Sequence, residues 1–141
     1  MSLTFKYKRV KRAGNVEIKS PSIPITVWGV GQRFEFIALL DSGADLSVIP
    51  KDVAELLGLK LSGQKEEARG IGGKVDAVQT TMNIELGKPH EKYTLTNIPV
   101  KVIFNHMDQE IPLILGRAGF FDKFIISFNQ KEEKIILKKV N

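Results

Sequence analysis

An all-β domain whose sheet closes or folds over on itself is what the sequence predicts, and three observations predict it. Short runs of alternating apolar and polar residues recur along most of the chain. Only two stretches have helical spacing, and both are short. The 141 residues, 43% apolar and 26% charged, suit one core and exclude disorder by composition. With no internal repeat and no low-complexity linker, a single domain over 1–141 is expected.

Leu3, Phe5 and Tyr7 alternate with Thr4, Lys6 and Lys8, the period of a strand with one covered face. Residues 1–14 therefore read as a basic N-terminal strand or arm. After Gly14-Asn15, the runs Ile23-Ile25-Val27 and Phe34 to Leu40 read as strands. Pro50 suits the first position of a helix, Val53, Ala54, Leu56 and Leu57 recur at helical spacing, and Gly58 supplies the stop. Glu66 to Leu86 has the composition of a long hairpin around Gly70-Ile71-Gly72-Gly73. Tyr93 to Phe104 and Ile111 to Leu115 are further β segments, and Ala118 to Lys123 is the second helical patch. Phe124, Ile126 and Phe128 alternate, a polar turn spans Asn129 to Glu133, and Ile135 to Leu137 returns.

The charge balance, 21 Lys and Arg against 16 Asp and Glu, gives a net +5. Lys6, Lys8, Arg9, Lys11 and Arg12 account for all of it. The high pI thus reports a basic arm rather than a basic domain, and nucleic-acid binding is disfavoured, a solvated strand face being the simpler account. An arm binding nucleic acid through Lys6 to Arg12, with Phe5 and Tyr7 stacking on bases, is the competing reading. Absent cysteine removes disulfides, thiolate nucleophiles and Cys-ligated zinc. His90 and His106 are the only histidines, too few for a three-His site, and Glu91 beside His90 has the wrong spacing for H-E-x-x-H. No metal and no cofactor are expected. The longest apolar run, Phe36 to Leu40, is far short of a bilayer span, and no signal-peptide core is present, so a soluble cytoplasmic chain with no membrane partner is expected.

Leu39-Leu40-Asp41-Ser42-Gly43-Ala44-Asp45 carries the chemistry, because an apolar strand delivers a carboxylate into a tight turn. Burial raises a carboxyl pKa and a second carboxylate nearby raises one further, so two of them can share a proton and act as acid and base together. One Asp alone cannot. Asp-Ser-Gly is also how an ordinary turn begins, with the side chain bonded to backbone amides, and these three letters alone favour that reading.

Three ordered segments together resemble the retropepsin family, the single-lobed aspartic proteases of retroviruses and their cellular relatives. Asp41-Ser42-Gly43-Ala44-Asp45 is similar to the family's D-[ST]-G-A-D, Gly70-Ile71-Gly72-Gly73 to its flap tip, and Ile114-Leu115-Gly116-Arg117 to the apolar-apolar-Gly-Arg segment before its C-terminal helix. The resemblance spans about 34–128 and implies a closed acid-protease β-barrel with one or two short helices and a flap hairpin. It makes Asp41 the catalytic carboxylate, Ser42 a hydroxyl bonding across a dimer axis, and Gly43 a carbonyl facing substrate. It pairs Asp45 with Arg117 as a buried ion pair, so that Arg117 and Gly116 are structural supports and Asp45 is part support, part substrate contact. Gly70, Ile71 and Gly72 would cover the substrate, and Leu39, Ala44, Val48, Ile71 and Ile114 would line an apolar pocket, favouring hydrophobic residues at the cleaved bond. At any one of these apolar positions plain core packing is the alternative.

No second Asp-Ser-Gly or Asp-Thr-Gly exists in the sequence, so the resemblance implies a homodimer acting on a polypeptide, each copy supplying one Asp41. Ser42 as a nucleophile with His90 or His106 is the weaker option, since neither context resembles a nucleophile elbow. Ala44 cannot donate a hydrogen bond to the dyad as a hydroxyl residue could, which implies activity closer to neutral pH than in two-lobed relatives. Residues before Phe34 and the hairpin strand at 129–141 depart from the viral pattern. Interface strands are therefore expected from Phe124 to Leu137, with Leu3 to Tyr7 as the alternative. The opening Met1 is read as arguing against excision from a polyprotein. A non-catalytic peptide-binding or dimerisation module of the same fold is the rival function.

Overall fold

The computed structural model describes residues 2–70, 73–104 and 111–141. β1 (Ser2–Lys6) buries Leu3 and Phe5 and turns Ser2, Thr4 and Lys6 to solvent. β2 (Lys8–Arg12) and β3 (Val16–Ser20) then pair antiparallel as a two-stranded ribbon. The basic residues therefore do not lie on one strand ending at residue 14. Lys6 belongs to β1 and the others to the ribbon, whose return strand β3 the sequence reading did not identify. Phe5 and Tyr7 are 4% and 7% exposed, so neither can stack on a base, which removes the arm reading that needed them.

β4 (Ser22–Trp28) and β5 (Phe34–Leu40) form a hairpin, and β6 (Ser47–Pro50) leads into α1 (Lys51–Leu56). Pro50 precedes the first turn of α1, where its missing N–H costs nothing. Gly58 ends it at φ +67°, where a side chain would be strained. Ala54 and Leu57 are buried, whereas Leu56 faces solvent. β7 (Glu66–Gly70) and β8 (Gly73–Lys88) are the arms of the expected long hairpin, closed by the pair Gly70 and Gly73. β9 (Glu91–Phe104), β10 (Leu113–Leu115), β11 (Phe124–Asn129) and β12 (Lys134–Lys139) follow. The helical patch at Ala118 to Lys123 is only a turn and a short 3-10 segment, Phe121–Lys123. Gly119 at φ +82° sits where an α-helix would need right-handed backbone.

The sheet order β4-β5-β10-β6-β9-β8 closes on itself through β4–β8, so six strands make a closed barrel, with β7 paired outside it. Closure occurs where β8 has a register shift between Met82 and Ile84. Asn83 at that bulge donates to the Trp28 carbonyl and accepts from the Asn97 N–H, while β8 from Asn83 to Glu85 pairs with β4. Ile23, Val27, Ile49, Ile84, Val100 and Leu115 fill the interior with essentially no exposure, each side chain contributing about 1.5–3 kcal/mol of burial. A second sheet, β1-β12-β11, holds the first strand against the last two. Its inner residues Leu3, Phe5, Phe124, Ile135 and Leu137 belong to one hydrophobic cluster with the barrel core, in which the Phe120 ring packs against Phe124. Among the described residues no helix is long and apolar enough to cross a membrane.

Candidate active site

Two adjacent parallel strands place Asp41. β10 runs parallel to β5 with Leu115 beside Leu40, and the Asp41 N–H continues that ladder by donating to the Leu115 carbonyl at 3.1 Å. On the other side the Leu40 N–H donates to the Pro21 carbonyl at 3.1 Å. The chain then turns sharply. The Ala44 N–H donates to the Asp41 carbonyl, and Asp41 Oδ1 accepts the Gly43 N–H at 2.9 Å. That last bond is the one an ordinary Asp-Ser-Gly turn would make, and it coexists with a half-buried carboxylate at the end of an apolar strand. Among the described residues no donor reaches the second oxygen, Oδ2.

The Gly116-Arg117 segment clasps this turn. The Arg117 and Ala118 N–H groups donate to the carbonyls of Ala44 and Asp45 at 2.9 and 3.0 Å, and Arg117 Nη1 donates to the Ser42 carbonyl at 3.0 Å. Arg117 also pairs with Asp45, but the pair is not buried as expected: the two side chains are 53% and 85% exposed in the single chain. An exposed pair is worth about 0–1 kcal/mol, so the clasp rests chiefly on backbone bonds. Gly116 is required by space. A Cβ there would lie 2.5 Å from the Leu46 backbone and 2.9 Å from the Ala44 carbonyl oxygen. Ser47, which sequence reasoning missed, is fully buried and its Oγ accepts the Gly116 N–H at 3.0 Å. A polar residue opening an apolar strand was the only signal for it.

Register brings three of the expected pocket residues together. Leu39 and Val48 are both partners of Ile114, so the three side chains form a row across β5, β10 and β6, each half-buried, while Leu40, Ile49 and Leu115 beside them point into the core. The row begins two residues before Asp41. Ala44 is half-buried within the turn, and Ser42, Gly43 and Asp45 are exposed on it. The arrangement can hold an extended apolar chain beside a carboxylate. Gly70 is placed by its backbone pairing with Gly73. Ile71 and Gly72 lie outside the described residues, as does His106. No group of three or more His, Cys, Asp or Glu among the described residues is placed to hold a metal ion.

A family model described as aspartyl protease matches residues 23–118, from β4 through the Gly-Arg clasp. No curated protein matches the chain. Among solved structures the chain is similar to a retropepsin-like aspartic protease from Rickettsia conorii, at 17% identity and a TM-score of 0.54, covering 97% of this chain and 90% of that one. It also aligns with EIAV protease complexed with the inhibitor HBY-793, at 24% identity and a TM-score of 0.45, covering 77% of this chain and 88% of that one.

Proposed function

Because the chain belongs to the aspartyl protease family and has the retropepsin-like fold, we propose that it is a homodimeric endopeptidase whose working centre is a pair of Asp41 carboxylates, one from each copy. The observation that carries this reading is the Asp41 turn itself. It is half-buried, clasped by Arg117 and flanked by an apolar row, and it occurs once in the sequence. A symmetric pair of copies brings two such turns face to face.

Two carboxylates within hydrogen-bond reach of each other do not both ionise, so such a pair holds one proton between them. The ionised Asp41 takes a proton from a water molecule as its oxygen attacks the peptide carbonyl, while the protonated Asp41 donates a hydrogen bond to the carbonyl oxygen. The tetrahedral intermediate collapses as the leaving nitrogen receives a proton, and no covalent acyl-enzyme forms. Leu39, Val48 and Ile114 favour hydrophobic side chains beside the cleaved bond. Ser42 joins the two turns and Gly43 offers its carbonyl to substrate. The exposed face of the terminal sheet, with Ile125 and Ile136, supplies the dimer contact.

Incubation with a mixed peptide library at several pH values, with cut sites read by mass, tests the reading. Wild type cuts beside hydrophobic residues and Asp41→Asn loses at least about 10³-fold in rate while sedimenting as wild type. Unchanged cleavage by the variant refutes the assignment. Binding of peptides without cleavage at any pH makes the protein a clamp of the same fold.

A further inference from the structure

The β2–β3 ribbon lies outside the segment matched to the family and pairs with no other strand among the described residues. An isolated two-stranded ribbon is marginal in water, yet this one carries features that weaken it further. Arg9 stands directly opposite Lys19, a like-charge pair that destabilises a ladder. Residues 8–20 hold five basic residues and a single acid, Glu17. Arg9 and Lys11 are both exposed; among the described residues Arg9 has no ion-pair partner, and Lys11 stands opposite Glu17 in the register without forming an ion pair with it. On the opposite face Val16 and Ile18 are 55% and 38% exposed. A shallow depression is lined by Arg9, Glu17, Ile18 and Lys19.

The root of the ribbon, in contrast, is fixed beside the catalytic turn. Ser20 and Ser22 hydroxyls share a buried hydrogen bond at 3.0 Å, Ser22 pairs with Leu39, and the Pro21 carbonyl between them accepts the N–H of Leu40, the residue before Asp41. Lys19 reaches Glu133 at 3.4 Å, and the Tyr7 N–H donates to the Glu133 carbonyl. Five paired residues carry the ribbon about 16 Å from that root, a distance that five or six extended residues span.

Building on the proposed proteolysis, we infer that the ribbon is a docking strand for an acidic segment of the polypeptide substrate, bound outside the cleft and a few residues from the cleaved bond. Both ribbon strands have a free edge, so an extended segment adds as a third strand with its carboxylates against Arg9 and Lys11. The net positive charge selects an anionic occupant and opposes a second ribbon. The position of the root beside Asp41 selects the substrate over a duplex nucleic acid, which a basic ribbon could also enter.

The test uses one cleavable peptide core with either a Glu-rich or a Gln-rich flanking tail, and wild type beside the double variant Arg9→Ser, Lys11→Ser. For wild type the acidic tail lowers KM about tenfold at low salt, and the double variant keeps no more than about a twofold gain. The Gln-tailed peptide is cut alike by both. Fluorescence anisotropy of the Glu-rich tail on Asp41→Asn protein, with and without the ribbon changes, reads docking without turnover. Tail affinity lost with the ribbon changes supports the proposal even if no peptide is cleaved, in which case the protease reading alone fails. A KM indifferent to the tail, equal tail binding by both proteins, or displacement of the tail by a duplex DNA of about 20 bp that binds more tightly overturns it.

Discussion

At the scale of single residues, the clasp around Asp41 is held by space and backbone more than by charge. Gly116→Ala would push a methyl group into the Leu46 backbone, which cannot yield as a side-chain tip can. It should cost about 2 kcal/mol or more in urea unfolding and lower cleavage further, because the clasp must shift with it. Asp45→Asn, which removes one charge of an exposed pair, should cost under about 1 kcal/mol in the same assay. Tyr93 offers a second check. Its hydroxyl donates to Glu91 Oε2, and this bond, then burial, then the Glu91 charge, raise its pKa above the ordinary 10.0. A raised folded value means that the stabilisation is whole below the unfolded pKa and is lost as pH climbs through the folded one. The gap in Tm between wild type and Tyr93→Phe should therefore be constant up to about pH 9 and shrink above pH 10; a gap unchanged at about pH 11.5 would contradict it. Asp41, Gly116 and Arg117 could be picked from the sequence through their resemblance to the family's motifs, and the fold brings them to one turn. Ser47 could not, since a serine's burial depends on strands distant in sequence.

Among the elements, apolar and alternating runs located the barrel strands except β6, and Pro50 with Gly58 bounded the helix. β3 and the four-residue β6 escaped. β3 was hidden because Val16 and Ile18 alternate on a ribbon without a core, and the helix at 118–123 was overestimated because Gly119 breaks it locally. The terminal sheet changes which experiment can find a dimer contact. β12 is the central strand, with Ile135 and Leu137 at 0% and 1% exposure, so removing Ile135 to Asn141 would unfold the sheet whether or not it contacts a second copy. Ile125, 58% exposed on the outer face of β11, allows a cleaner test. Ile125→Lys should leave Tm within a few degrees of wild type and shift sedimentation towards the single chain. A variant sedimenting unchanged would move the contact elsewhere.

For the whole molecule, the proposed centre, assembled from two copies, would make activity depend on concentration. Specific activity should fall on dilution once the copies separate, and Ile125→Lys should move that fall to higher concentration. The closed barrel was legible in outline, because a chain of short strands must hide its edges. The bulge at Asn83 and the β4–β8 closure were not, since register is settled by side chains meeting across the finished sheet. The pairing of β1 with β12 bears on birth as well as form. During translation, at about 5–20 residues per second, Leu3 and Phe5 leave the ribosome roughly ten seconds before their partners do. Through that interval a greasy stretch of nascent chain lacks its own strand neighbour, and a chaperone that shields it should raise the yield of folded protein.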